Sequence, residues 1–375
     1  MANNIPMPFQ KGTPSLDSFP YAVWHQVGNK VLKDLKNHYL GYTDVLGHWP
    51  LRKAISSYLR ISRAVNCTPE QVVIVTGSQQ GINLIVSCLL EPNDEVWMED
   101  PGYRGARSAF NNAGVKLCPV PIEEDGLNIE YAKKHFEKAK LAYITPSHQY
   151  PLGSTLSQSK RLELLTWANE RGMWILEDDY DSEFRYEGNP LASLQGLDSN
   201  NRVIYSGTFS KVLFPGLRLA YLVLPSAGLV ERFKTVKEIT DRQSPILEQL
   251  ILTRFIEEGH FLRHLRKMRI LYSERQHIMI KLLGQYLNDY LQISASPAGM
   301  HLVCYLSNQI DIEKFKKEIG KRHLIVDFVS ELTLEHHIKP AIMLGYTPFP
   351  KHRMKAGIEQ LSACVLNALA DSTEE

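Results

Sequence analysis

The sequence predicts an α/β protein: a large domain with a mostly parallel sheet between helices, joined to a smaller α+β domain. Three observations carry that prediction. Short β-branched runs alternate with longer amphipathic stretches from residue 70 onward, as they do where crossover helices join parallel strands. Polar loops follow those runs, and an α/β sheet gathers its ligands at the carboxyl ends of its strands. Beyond Pro245 the chain turns into a long, charged helical stretch and then a strand, a helix and a strand.

In chain order, VVIVT (72–76), EVWM (95–98), LAYIT (141–145), MWILE (173–177), RVIYS (202–206) and LAYLVL (219–224) are the expected strands. TGSQQ, EDPGY, TPSHQYP, EDDYD and SGTFSK begin at the ends of such runs, so one crevice collects them. LEQLILTRFIEEGHFLRHLRKMRILYSERQHIMIKLL (247–283) reads as a bridging helix into the second domain. It is followed by strand-like HLVCYL, helix-like IDIEKFKKEIGKR and strand-like HLIVDF. The N-terminal residues, with Pro6, Pro8, Pro14 and Pro20 ahead of a helical segment, are expected to return to that second domain. The expected division is 45–260 for the large domain, with 1–44 and 261–375 forming the small one.

A chain of 375 residues, 44% hydrophobic and 22% charged, can bury a large core. Its net charge of +1 offers no field for nucleic acid or an anionic membrane, and the basic run RHLRKMR (263–269) reads as a solvated helix face. Cys67, Cys88, Cys118, Cys304 and Cys364 form no CxxC pair, which fits a reducing cytoplasm. Neither a basic-then-apolar leader nor a run of about 18 apolar residues is present, so a soluble cytoplasmic protein is expected.

The chemistry concentrates in SGTFSKVLFPGLRLAY (206–221). Between Arg202 and Glu231 only Lys211 and Arg218 carry charge, and burying either without a partner is costly. Thr208, Ser210 and Arg218 suit a phosphate ester. A lysine in an apolar, cation-flanked crevice favours its neutral amine, as a Schiff-base lysine requires. TGSQQGINLIVSCLL starts a helix directly after a strand, so free N–H groups and the Ser78 hydroxyl form an anion cradle, although Ser78 serves equally as an ordinary N-cap. EDDYD ends a strand with Glu177, Asp178, Asp179 and Asp181 around Tyr180. No HxxE or HxH pattern accompanies them, and His260 and His264 lack an intervening acid, so no metal is expected. One carboxylate holding a proton on a heterocyclic nitrogen is the better reading.

A Schiff-base lysine, a phosphate cradle, an aromatic platform and a strand-end carboxylate together describe a pyridoxal 5'-phosphate site. GYTDVLGHWPLR, VTGSQQGINL, EDPGYRGAR, TPSHQYPLG, ILEDDYDSEFRY, GTFSKVLFPGLRLAY and EEGHFLRHLRKMR resemble fold-type I pyridoxal phosphate-dependent aminotransferases over nearly the whole chain. They resemble most the aminotransferase-like domain of MocR/GabR-type proteins, without the winged helix-turn-helix. The resemblance implies that Lys211 bonds the cofactor and moves the Cα proton, that Asp178 (or Asp179) pairs with the ring nitrogen, and that Tyr180 bonds the ring oxygen. It further implies that Tyr103 stacks on the ring and that Ser78, Gln79, Thr208 and Arg218 hold the phosphate. Tyr42 would reach the phosphate of a neighbouring subunit in a homodimer with composite sites.

Two departures qualify the resemblance. The usual Asn-Pro-x-Gly turn is Tyr150-Pro151-Leu152-Gly153 here, with His148 or Gln149 as substitutes, and Met343 stands where an arginine usually meets the substrate carboxylate. Arg104, Arg107 and Arg353 are candidate replacements, and His25 is a candidate acid or base at the mouth. The expected function is transamination of a free amino acid. The alternatives are β- or γ-elimination or cyclisation, as by enzymes making cyclic arginine-derived amino acids, and a non-catalytic sensor of the cofactor or an amine.

Overall fold

The computed structural model describes residues 7–188, 191–294 and 296–369. Strands β1 (Val72–Val75), β2 (Glu95–Asp100), β3 (Lys116–Glu123), β4 (Gly126–Leu127), β5 (Leu141–Ile144), β6 (Trp174–Asp179), β7 (Val203–Thr208) and β8 (Ala220–Val223) form one sheet, ordered β1-β8-β7-β6-β5-β2-β3-β4. Its middle, β3-β2-β5-β6-β7, is parallel. β8 is antiparallel to both β7 and β1, because the chain returns from β7 through a loop rather than a crossover helix. That loop carries Lys211 and Arg218. The central strands are buried on both faces, which is why they read as continuous apolar runs.

Helices α1 (Tyr21–Lys33), α2 (Trp49–Ser62), α3 (Ser78–Leu89), α4 (Arg104–Asn112), α5 (Ile129–His135), α6 (Gln158–Arg171) and α7 (Ala227–Thr240) accompany this sheet. The long helical stretch is two helices, α8 (Ile246–Glu257) and α9 (His260–Leu287), broken where Gly259 takes φ +75°. A left-handed residue ends one helix and lets the chain turn before the next. Within RHLRKMR, Arg263, Arg266, Lys267 and Arg269 are exposed while His264, Leu265 and Met268 are buried, an amphipathic face rather than a basic patch.

β9 (Leu291–Ser294), β10 (His301–Leu306), β11 (Asp327–Phe328) and β12 (Ala341–Gly345) form a second sheet, ordered β11-β12-β10-β9, beside α10 (Ile312–Lys321) and α11 (Lys351–Leu366). The strand expected over HLIVDF shrinks to Asp327–Phe328. β3 was not expected, since Pro119 and Pro121 interrupt it. It tolerates them because only the two-residue β4 pairs beyond it, so most of its outer edge needs no donors. The N-terminal segment joins the second sheet, where Gly345 N–H donates to the Phe9 carbonyl at 2.9 Å and Ile325 N–H to that of Pro8 at 3.2 Å. Helix α1 packs on α8. Among the described residues no helix is long and apolar enough to cross a membrane.

Candidate active site

The carboxyl ends of β1, β5, β6 and β7 open into a cavity of about 360 Å³. Lys211 lies on its wall, and its Nζ donates to the Gly12 carbonyl at 2.9 Å. Burial lowers the Lys211 pKa, against the pull of the Asp181 and Asp178 carboxylates. A buried amine of lowered pKa has a larger neutral, nucleophilic fraction.

Strand alternation sorts Glu177, Asp178 and Asp179, the carboxylates of EDDYD that lie on β6, while Asp181 lies just beyond it. Asp178 faces the cavity, where Tyr143 Oη donates to its Oδ2 at 2.6 Å and its Oδ1 is buried with no partner among the described residues. Burial pushes its pKa up to about 6. Asp179 faces the other way and accepts from Arg63 Nε at 2.8 Å and Tyr205 Oη at 2.5 Å. Glu177 accepts the Leu194 and Gln195 N–H groups at 2.9 and 2.8 Å, and Asp181 pairs with His148 Nδ1 at 3.1 Å. Of Asp178 and Asp179, only Asp178 lines the cavity. Arg63→Ala would leave Asp179 buried without its cation. It is expected to destabilise the fold by about 3–5 kcal/mol in urea unfolding.

Ser78 and Gln79 open α3 at the cavity, so their N–H groups are among the four that a helix start leaves free. Gly77 takes φ +148°, and a Cβ there would lie 3.1 Å from Arg218 Nη2. The guanidinium thus rests against the helix start, with Thr208 and Ser210 also on the cavity wall. The Gln79 side chain also donates to the Gly105 carbonyl at 3.0 Å. That bond ties α3 to the turn carrying Tyr103. Tyr103 borders the cavity, and a Cβ on Gly105 would lie 2.4 Å from its ring.

Tyr180 Oη lies 3.0 Å from His148 Nδ1. Asp181 shares that nitrogen at 3.1 Å, and a hydrogen donated from it to Asp181 leaves the Tyr180 hydroxyl proton free to donate elsewhere. Gly153 and Gly299, at φ +81° and +98°, make room for the imidazole. Gln149 is unavailable for such work. Its amide donates to the Pro101 and Tyr150 carbonyls at 2.9 and 2.7 Å.

Other expected residues lie elsewhere. His25 is on the exposed face of α1 beside Asn29, because Val27 and Val31 occupy the buried face; it does not line the cavity of its own chain. Tyr42 is 80% exposed with Arg242 over its ring at 4.4 Å. Arg104 pairs with Glu331 at 3.8 Å, Arg107 donates to the Thr333 carbonyl at 3.1 Å, and Arg353 lies over Phe349. His264 Nε2 faces the Val212 carbonyl at 3.0 Å while His260 contacts Glu258. Met343 is fully buried among Val303, Val329 and Leu332. Lys11, Tyr143 and His301 line the cavity and were not singled out in the sequence. Lys11 had a signal available, as the sole Lys or Arg ahead of Lys30.

The cavity has a polarity: a helix start and Arg218 at one end, a carboxylate with one unpartnered oxygen within, and the Lys211 amine on the wall. With this α/β architecture, that polarity defines the fold-type I pyridoxal phosphate-dependent class. The family model for aminotransferase class I and II matches residues 5–340, and the chain belongs to that family. Over 358 residues it is 37% identical to the probable rhizopine catabolism regulatory protein MocR of Rhizobium meliloti, covering 96% of this chain and 72% of that protein. A Pyrococcus horikoshii kynurenine aminotransferase, solved with PMP and KYN as substrates and KYA as products, is 26% identical with TM-score 0.88, covering 97% and 91%. The alpha-aminoadipate aminotransferase of Thermus thermophilus, complexed with N-(5'-phosphopyridoxyl)-L-leucine, is 25% identical with TM-score 0.87, covering 97% and 92%.

Proposed function

We propose that this protein transfers the amino group of a free amino acid with pyridoxal 5'-phosphate as cofactor. The observation carrying this reading is Asp178 Oδ1, a buried carboxylate oxygen without a donor among the described residues, in the same cavity as Lys211. An unpaired buried acceptor is costly, and Asp178 Oδ1 would accept from the ring N–H of a bound cofactor. When bound, the ring withdraws electrons from the substrate Cα.

The chain's own groups do the rest. Lys211 Nζ would hold the cofactor and move the Cα proton. Asp178 would keep the ring nitrogen protonated, and Tyr180, held by the His148–Asp181 pair behind the cavity wall, would donate to the ring oxygen. Tyr103 covers the ring. The N–H groups of Ser78 and Gln79, with Thr208 and Arg218, hold the phosphate. Gly77→Val would push a side chain into Arg218; affinity for pyridoxal phosphate in equilibrium dialysis is expected to fall on the order of tenfold.

A homodimer with composite sites belongs to the proposal, supported by the exposure of Tyr42 and Arg218. A second domain is supported by the separate second sheet and by Pro8 and Phe9 bonding to it, although α1 packs on α8 of the proposed 45–260 unit. A cytoplasmic location fits five buried, free cysteines, and the net charge of +1 argues against a nucleic-acid partner.

The testing experiment incubates cofactor-loaded protein in deuterated water with a panel of amino acids, with and without a keto acid. Acceptor-dependent loss of the amino group supports transamination. Loss of water or ammonia without an acceptor, or no exchange at Cα, overturns it in favour of elimination or sensing respectively.

A further inference from the structure

We propose that Lys11 binds the substrate carboxylate, an inference that rests on the reading of the cavity just given. The strand position that would present an arginine holds Met343, fully buried in an apolar cluster. The cavity must therefore draw its cation from elsewhere. Among the described residues the Lys and Arg side chains on its wall are Lys11, Lys211 and Arg218. Lys211 is the reactive amine, and Arg218 lies at the phosphate end against Gly77. Lys11 is left for a second anion.

Register explains why this lysine serves the place of residue 343. Asp327 on β11 pairs directly with Met343 on β12, and directly opposed residues put their side chains on one face. Asp327 Oδ1 lies 3.1 Å from Lys11 Nζ. Strand β11 thus anchors a cation from the N-terminal segment beside the position that lacks one. The Lys11 side chain is only 24% exposed, and its Nζ stands 5.5 Å over the Tyr150 ring.

Backbone geometry places that cation near the reaction. The next residue, Gly12, accepts the hydrogen bond from Lys211 Nζ at 2.9 Å. An α-amino acid carries its carboxylate on the same carbon as its amino group, so the cation that meets it must stand close to the reactive amine. An ammonium has three donors. Asp327 takes one, and the others remain for an incoming carboxylate. An ion pair between residues 11 and 327 alone would stabilise the fold little, whereas a carboxylate bound in a sheltered site gains a charge-assisted hydrogen bond.

The test titrates cofactor-loaded wild type, Lys11→Gln and Lys11→Arg with L-norleucine and with pentylamine, which differ by the carboxylate. Binding is read from the change in cofactor absorbance and needs no turnover. Wild type should prefer norleucine, Lys11→Gln should lose that preference on the order of tenfold with pentylamine unchanged, and Lys11→Arg should keep it. A wild type without preference, a Lys11→Gln variant that retains it, or a Lys11→Arg variant that loses it overturns the assignment. Wild type that takes up no cofactor overturns this assignment together with the reading beneath it, and its missing absorbance separates that failure from the others.

Discussion

Lys211→Ala is expected to remove the visible absorbance of lysine-bound cofactor and to lower turnover on the order of ten-thousandfold or more. In the proposed mechanism one side chain has two roles, as the nucleophile that holds the cofactor and as the base at Cα, and alanine can fill neither. The fold should survive. The side chain lines a cavity and gives a single hydrogen bond to Gly12, so the thermal midpoint of the variant should stay close to that of wild type. Lys211→Arg separates charge from nucleophilicity: guanidinium stays protonated, so this variant should also be inactive. Retention of both absorbance and turnover by Lys211→Ala would remove the assignment.

Much of this site was legible because its residues sit at strand ends. The apolar runs marked β1, β2, β5, β6, β7 and β8, and the loops that follow β1, β2, β6 and β7 carry Ser78, Tyr103, Tyr180 and Lys211. A run buried on both faces announces itself locally. What stayed hidden depends on tertiary closure. The role proposed for Lys11 rests on Asp327, far along the chain, and on the β11–β12 register; no local periodicity encodes either. Tyr143 reads as one more aromatic in LAYIT until its neighbour strand brings Asp178 within 2.6 Å. His25 was expected at the mouth of the site, and the phase that turns it away from the cavity of its own chain is set by Val27 and Val31. The break at Gly259 was missed because a glycine inside a helical pattern signals a stop only when the chain adopts positive φ there.

Asp178→Ala is the second large effect: turnover is expected to fall on the order of a thousandfold while cofactor remains bound. The retained binding follows from the site's division, since the phosphate groups and Lys211 do not depend on Asp178. The lost turnover follows because a ring nitrogen without an anionic partner in a buried site gives up its proton, and a neutral ring withdraws electrons poorly. Asp178→Asn makes the stricter comparison. It nearly keeps the shape and retains an acceptor for Tyr143, so a loss close to that of alanine would assign the effect to charge rather than packing. Asp179→Asn is the internal control. Its carboxylate answers Arg63 and Tyr205, away from the cavity, so this change should lower the urea midpoint and leave turnover per folded molecule near wild type. The opposite pattern, turnover lost at 179 and kept at 178, would exchange the roles of the two residues and with them the face of β6 that meets the cofactor.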